Sequence, residues 1–84
     1  MKHPRWPNTI APILIGQRGR FSVKVYRSDD DIIWEEVTGE ICDVFPCSIG
    51  LVLDKNFFDW DAKVELWIED DGFVEQDCKI LEKL

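Results

Sequence analysis

The 84 residues include only one histidine, His3, and three cysteines, so side-chain nitrogen and sulfur ligands for zinc are few and His3 is the one histidine base for a Ser or Cys nucleophile. A structural zinc site needs about four nitrogen or sulfur ligands at close paired spacings, and a Cys or Ser nucleophile needs a base fixed beside it. His3 precedes Pro4 in an irregular N-terminal stretch, and Cys42, Cys47 and Cys78 are scattered along the chain. The sequence also has no glycine-rich phosphate loop. We therefore predict a protein without a metal, a cofactor or enzymatic activity.

Long apolar runs are missing as well. No segment approaches the roughly 18–20 apolar residues that span a bilayer, and the N-terminal apolar stretch is too short and too interrupted by proline for a signal sequence. An odd number of cysteines without a secretion signal is typical of free thiols in a reducing compartment. These features predict a cytoplasmic protein that does not contact a membrane.

Acidic residues are absent from the first third of the chain. Residues 1–28 contain six Lys or Arg and no Asp or Glu, whereas residues 29–84 contain all 17 acids and four lysines. The formal charges of the two parts are therefore +6 and −13. One interpretation is internal pairing, with a basic first strand beside acidic neighbours. The other is a basic patch for a phosphate-bearing ligand together with an acidic face for a basic protein.

Alternating apolar and polar residues dominate what the chain does contain. With 84 residues, 45% of them hydrophobic, the chain forms one small domain. Strand character, from period-two alternation or from β-branched and aromatic content, is found in five segments: 20–27, 32–45, 49–53, 62–69 and 73–80. The predicted fold is mostly β, a small five- to six-stranded antiparallel β-barrel or roll over residues 17–84. An extended, proline-containing N-terminal arm, residues 1–16, precedes it.

The last two segments predict a β-hairpin. A three-residue loop from Asp70 to Gly72 sets Ile68 opposite Val74 and gives Gly72 the left-handed backbone that glycine tolerates best. A two-residue turn would place Ile68 opposite an acid, on the wrong face of the hairpin.

Three further stretches have weaker signals. Gly39 predicts a bulge or bend within the long second segment. Residues 54–62 have the pattern of either one helical turn or a loop with aromatic plugs, and the C-terminal ILEKL has weak helical character in a stretch too short to form a helix alone. The stretch between 45 and 49 predicts a turn.

The order of these segments resembles that of a PilZ domain. The resemblance is carried by RGRFSVKVYR, WEEVTGEICDV, SIGLVLD and DAKVELWIEDDGFVEQDCKIL, which together extend over roughly residues 17–81. PilZ domains are small six-stranded β-barrels known for binding cyclic di-GMP. In that family an arginine-containing stretch leads into a strand, and a D/N-x-S-x-x-G turn lies between two strands and is followed by a β-hairpin.

The resemblance implies a ligand site at Arg18, Arg20, Asp43 and Ser48. In the family, arginines stack on and pair with guanine and phosphate while the turn wraps the bases. Here the R-x-x-x-R motif is shortened to R-G-R, and Asp43, Ser48 and Gly50 are out of step with the turn motif. These departures predict a member that acts through protein contacts, with a cyclic dinucleotide as the alternative ligand.

A tryptophan on a polar strand face predicts a contact surface. Trp67 alternates in phase with Glu65 and Glu69, and tryptophan is enriched at binding hot spots. The alternative is that its ring covers the core edge or packs on the arm. The predicted protein-interaction residues are Trp67, Glu65, Glu69, Asp70, Asp71 and Trp34.

Two functions fit these features. The first is a non-catalytic regulatory or adaptor module whose acidic surface binds a basic protein partner. The second is a small acidic inhibitor, for example one encoded by a phage, that imitates the charge of nucleic acid and blocks a DNA- or RNA-binding protein. Direct nucleic-acid binding is disfavoured because the part of the chain with charge −13 repels a polyanion.

Overall fold

The computed structural model describes residues 3–7, 9–28, 31–54, 63–70 and 72–84. These residues form one antiparallel sheet of five strands, β1 (Arg18–Ser28), β2 (Asp31–Val44), β3 (Ser48–Leu53), β4 (Lys63–Trp67) and β5 (Cys78–Lys83). The order across the sheet is β4-β3-β2-β1-β5. No helix occurs in these ranges, and so none that could cross a membrane. The predicted mostly β fold class is confirmed.

The sheet is open, and the closed barrel among our predictions is wrong. Its edges are β4 and β5, and no ladder joins them in the described ranges. Asp77, which precedes β5, links the two edges: its N–H donates to the carbonyl of Trp67 at 2.9 Å, and its carbonyl accepts from the N–H of Lys24 in β1 at 2.9 Å. The sheet therefore curls until its edges touch at Asp77, without the continuous hydrogen bonding that closes a barrel.

The predicted hairpin between residues 62–69 and 73–80 is also wrong. The strand β5 pairs with β1, where Phe21 lies opposite Ile80 and Val23 opposite Cys78. Residues 73–77 belong to no strand. A segment of alternating apolar and polar residues can pair with any strand that has apolar side chains on the matching face. The strand β1 has such a face, and its apolar side chains are fully buried. Gly72 does adopt the predicted left-handed conformation, with φ of 94°.

The bulge in β2 is not at Gly39, where the sequence predicts a bulge or bend. The bulge in β2 falls at Cys42, because Ile41 pairs with Leu51 and Asp43 with Gly50. Gly39 instead marks close strand contact, since a Cβ there would lie 2.7 Å from the carbonyl oxygen of Val52.

The weak helical signals have different outcomes. The C-terminal ILEKL is strand for most of its length, because β5 extends to Lys83 and pairs with β1. Of the 54–62 stretch only Asp54 is among the described residues, so the choice between helical turn and loop lies outside them. The predicted turn before β3 is confirmed at Pro46 and Cys47, where the N–H of Phe45 donates to the carbonyl of Ser48 at 2.9 Å.

The apolar core lies on one face of the sheet and includes two residues of the N-terminal arm. The arm doubles back on itself through a bridge between Arg5 and Pro12. This fold inserts Trp6 and Ile13, which are 2% and 0% exposed, among the buried side chains of the strands. The indole N–H of Trp6 donates to Oε1 of Gln17 at 2.8 Å, so its one polar group is satisfied.

Candidate protein-binding surface on the outer face of the sheet

The outer face of β2, β3 and β4 is the face turned away from the core. Side chains alternate along a strand, and Ile49, Leu51 and Leu66 point into the core. On the outer face, residues that lie opposite one another on neighbouring strands form three rows. The first row is Glu40, Val52 and Lys63, the second is Asp43, Gly50 and Glu65, and the third is Ser48 and Trp67. Four of the ten residues that the sequence singled out lie in these rows, Asp43, Ser48, Glu65 and Trp67.

The bulge at Cys42 directs two side chains over Gly50. A Cβ on Gly50 would lie 3.0 Å from the Cβ of Asp43 and 3.1 Å from Sγ of Cys42. Both side chains therefore occupy the space that any larger residue at position 50 would need. Two residues facing one partner is the arrangement that a β-bulge creates. As a result Asp43 lies over β3, in the direction of β4.

A buried hydroxyl orients the carboxylate on the other side of Gly50. Ser48 is 2% exposed, and its Oγ donates to Oε1 of Glu65 at 3.0 Å. The side chain of Glu65 is otherwise exposed. Because the donor is neutral, the bond fixes the Glu65 carboxylate while leaving its negative charge in place.

Trp67 is half-buried at the end of β4, and its backbone is held on both sides. Its N–H donates to Oδ1 of Asp77 at 2.6 Å, and its carbonyl accepts from the N–H of Asp77. The next residue, Ile68, donates its N–H to the carbonyl of Cys47 at 2.9 Å. The aromatic side chain therefore projects from a fixed backbone, which suits a contact residue.

Asp77 carries a partly buried charge at this junction. Burial raises the pKa of its carboxyl group above the ordinary value, and the hydrogen bond from Trp67 and the charge of Lys24 oppose that rise without cancelling it. The folded chain thus binds this proton more tightly than the unfolded chain does. The ionised carboxylate therefore costs folding free energy at neutral pH, and that cost disappears as the pH falls through the raised pKa.

We expect Asp77→Asn to be at least as stable as the wild type at neutral pH, because an amide oxygen still accepts from Trp67 while the buried charge is gone. Its stability should also vary less between about pH 7 and about pH 4. Asp77→Ala should lose about 1–2 kcal/mol, because the N–H of Trp67 loses its side-chain acceptor. Urea unfolding across this pH range measures the free energy of unfolding of both variants. An Asn variant less stable than the Ala variant at neutral pH would contradict the assignment.

The two arginines of the predicted ligand site are bound elsewhere. Arg18 pairs with Asp54 and Arg20 with Glu82. The hydroxyl of Thr38 also donates to Asp54, and this bond together with Arg18 lowers the pKa of the Asp54 carboxyl. Arg18 and Arg20 lie on the outer face of β1 opposite Glu40 and Thr38 of β2, so Arg18 extends the row of Glu40, Val52 and Lys63, next to the row that contains Asp43.

The other predicted interaction residues are dispersed. Trp34 is 39% exposed on the β1–β2 part of the sheet, with Nζ of Lys79 4.3 Å from its ring centroid. Glu69 is half-buried, and exposed Asp70 accepts from the backbone N–H of Gln76. Asp71 lies outside the described residues.

Three cations of the first strand pair with acids of the same chain. The cations Arg18, Arg20 and Lys24 each pair with an acid, and the Lys24–Glu75 pair measures 3.2 Å. The acids are Asp54, which follows β3, Glu82 of β5 and Glu75, which precedes β5. The three basic residues of β1 whose side chains are described are therefore paired with acids of the same chain, as the interpretation of internal pairing predicts.

The groups that could bind a metal are dispersed in the described part of the chain, and one of the three thiols is buried in the core. Among the described residues, no three His, Cys, Asp or Glu side chains are grouped to hold a metal ion. Burial raises the pKa of the Cys78 thiol to about 12, which keeps it protonated at neutral pH.

Comparison with known proteins returns no relative: no protein family, no curated protein and no solved structure matches the chain. The chemistry of the outer face is therefore the basis for a functional proposal.

Proposed function

We propose that this chain is a cytoplasmic, PilZ-like, non-catalytic adaptor or regulatory module that binds a protein partner with a basic surface. The binding site is the acidic tryptophan face, which we define as Asp43, Glu65, Trp67, Glu69 and Asp70. The observation that carries the proposal is the pairing of β1. Its cations Arg18, Arg20 and Lys24 are engaged by acids of the same chain, whereas acids outnumber cations in the sequence around Trp67.

The charge balance near Trp67 favours a cationic partner. Residues 63–77 contain six acids and only Lys63 as a cation. Complementary charge accelerates encounter and selects against partners of the wrong sign. A fixed, half-exposed tryptophan supplies apolar area at a small entropic cost. A nucleic acid is a poor ligand for this face because the chain has a net charge of −7.

The pairing of Arg18 and Arg20 with acids of the same chain also favours a protein ligand over a cyclic dinucleotide. Any phosphate approaching Arg18 or Arg20 would have to displace Asp54 or Glu82. Calorimetric titration with cyclic di-GMP should therefore give no binding heat. Saturable heat would instead favour the nucleotide-binding alternative.

We expect Trp67→Ala to weaken partner binding about tenfold while the fold is retained, because the variant removes aromatic contact area from a half-buried site. Immobilised wild-type protein is used to capture the partner from cell extract, and the purified partner is then titrated calorimetrically. Trp34→Ala is the matched control and should bind within about twofold of the wild type. Circular dichroism checks that each variant is folded.

Four results would contradict the proposal. Equal affinity of the Trp67→Ala and Trp34→Ala variants would place the contact elsewhere, and a lost β-sheet signal in Trp67→Ala would make Trp67 a core residue. Affinity that does not fall with added salt would remove the electrostatic basis. A partner that duplex DNA displaces competitively would identify the chain as a charge-mimicking inhibitor.

A further inference from the structure

We infer that the ring of Phe73 inserts into an apolar pocket of the partner, and that lysine or arginine side chains surround this pocket. The inference rests on the proposed function and adds to it a contact residue and the chemistry of the surface that receives it. Among the described residues Phe73 is the most exposed large hydrophobic side chain, at 98%. Because the ring is not buried, the fold gains almost no stability from it.

The loop between β4 and β5 that presents Phe73 is closed at its base. The side-chain amide of Gln76 donates to the carbonyl of Ile68, which follows β4, at 3.0 Å and to that of Cys78, the first residue of β5, at 3.1 Å. The backbone N–H of Gln76 donates to the carboxylate of Asp70 as well. One glutamine thus ties both ends of the loop together. A loop ordered before binding loses less conformational entropy when the partner arrives.

Gly72 places the ring at the tip of this loop. Its φ of 94° lies in the left-handed region that glycine adopts without strain. A Cβ built on Gly72 would have no atom within 4 Å outside its chain neighbours. The tip therefore projects into solvent, with Phe73 directly after the turn.

The charge around the ring indicates what surrounds the pocket. Residues 69–77 contain five acids and no Lys or Arg. Asp70 is exposed, and Glu75 is 85% exposed, whereas Lys24, which pairs with Glu75 at 3.2 Å, is only 11% exposed. The carboxylate is therefore the group of that pair that a partner meets. Cations around the pocket that receives Phe73 would complement these acids.

A pocket in another protein is the occupant that this chemistry fits. Aromatic side chains that fill pockets are typical anchors of protein interfaces, and their few rotatable bonds make them inexpensive to immobilise. A second copy of this chain fits less well, because each copy has a net charge of −7 and acids surround the ring on both. An anionic membrane surface is disfavoured for the same reason.

The test uses the full chain and the protein that immobilised wild type captures from cell extract, purified as for the Trp67 experiment. We expect Phe73→Ala to weaken binding about tenfold and Phe73→Leu about threefold, because leucine keeps much of the apolar volume. Ile10→Ala is the matched control and should bind within about twofold of the wild type. Ile10 is 88% exposed on the N-terminal arm, which contacts Gly19 near the start of β1 through Trp6, at the end of β1 away from this loop.

Three further measurements separate a pocket contact from a loss of charge or of structure. The salt dependence of Phe73→Ala binding should match that of the wild type, because the substitution leaves every charge in place. Its melting temperature should stay within about 3 °C of the wild type. With p-cyanophenylalanine at position 73, the nitrile stretching band should move to lower frequency when the partner is added, as it does when a nitrile leaves water for an apolar environment.

The outcomes separate this inference from the proposed function. If Phe73→Ala binds as well as Ile10→Ala, or the nitrile band does not move, the pocket contact is wrong, and the adaptor proposal stands as long as Trp67→Ala weakens binding. If Phe73→Ala weakens binding and Trp67→Ala does not, the pocket contact stands and the proposed face is wrong.

Three other results would also overturn the inference. Wild-type affinity that does not change with salt would remove the cations around the pocket. Self-association of the wild type that Phe73→Ala abolishes in sedimentation velocity would make a second copy the occupant. Capture of no protein by the wild type would overturn the pocket contact and the proposed function together.

Discussion

Trp6→Ala is expected to destabilise the protein by about 3–5 kcal/mol, the range for removing a large buried aromatic side chain. Trp6 is the largest fully buried side chain among the described residues, and its ring centroid lies 6.1 Å from that of Phe21. The substitution also removes one donor to Oε1 of Gln17, which would keep only the N–H of Leu14. The loss is a large part of the stability that an 84-residue domain has available.

Urea unfolding at neutral pH measures this loss, with Trp34→Ala as the matched control. Trp34 is 39% exposed, so the same deletion there should cost only about 1 kcal/mol. A Trp6→Ala variant as stable as the Trp34→Ala variant would show that the N-terminal arm does not contribute to the core.

A coupling experiment tests the contact itself. A Cβ on Gly19 would lie 2.5 Å from Cη2 of Trp6 and 2.9 Å from Cζ of Phe21. Gly19→Ala should therefore destabilise the wild type, and it should cost less in a chain that already carries Trp6→Ala. Non-additivity of this sign follows from direct contact between the two positions.

Strand positions were predictable from the sequence, and strand pairing was not. Period-two alternation located β1 and β4 within a few residues, because one buried face imposes that period locally. The pairing of β5 with β1 joins residues about sixty positions apart, and the alternation of β5 fits either neighbour. The core role of Trp6 had no local signal for the same reason, since its partners, such as Phe21, belong to a different element.

The residues of the candidate site could be predicted from the sequence, but their arrangement in space could not. Asp43 and Ser48 were singled out through a motif resemblance, and Glu65 and Trp67 through strand alternation. Their shared face depends on the bulge at Cys42, which shifts the β2 register by one residue between Ile41 and Asp43. A glycine is the usual sequence signal for a bulge, and here the glycine in the middle of β2 serves close packing instead.

Gly39→Ala is expected to destabilise the protein by about 2–3 kcal/mol, near the upper end of the range for overpacking. The added Cβ would lie 2.7 Å from the carbonyl oxygen of Val52 and 3.3 Å from the Cα of Leu53. Both contacts are backbone, so no side chain can rotate away, and β2 and β3 must separate where Gly39 pairs with Leu53. Relief of this overlap requires breaking ladder hydrogen bonds between two interior strands.

Thermal and urea unfolding measure the change in stability. Ser22→Ala is the control within a strand, because it removes the hydroxyl oxygen and adds no atom near the backbone of a neighbouring strand. Ser22 lies on the outer face of β1 between Glu36 and Lys79, so its replacement should change stability by less than about 0.5 kcal/mol. Separation at Gly39 should also disturb the row of Asp43, Gly50 and Glu65, because the same two strands hold Asp43 opposite Gly50. A Gly39→Ala variant as stable as Ser22→Ala would mean that β2 and β3 do not approach each other this closely.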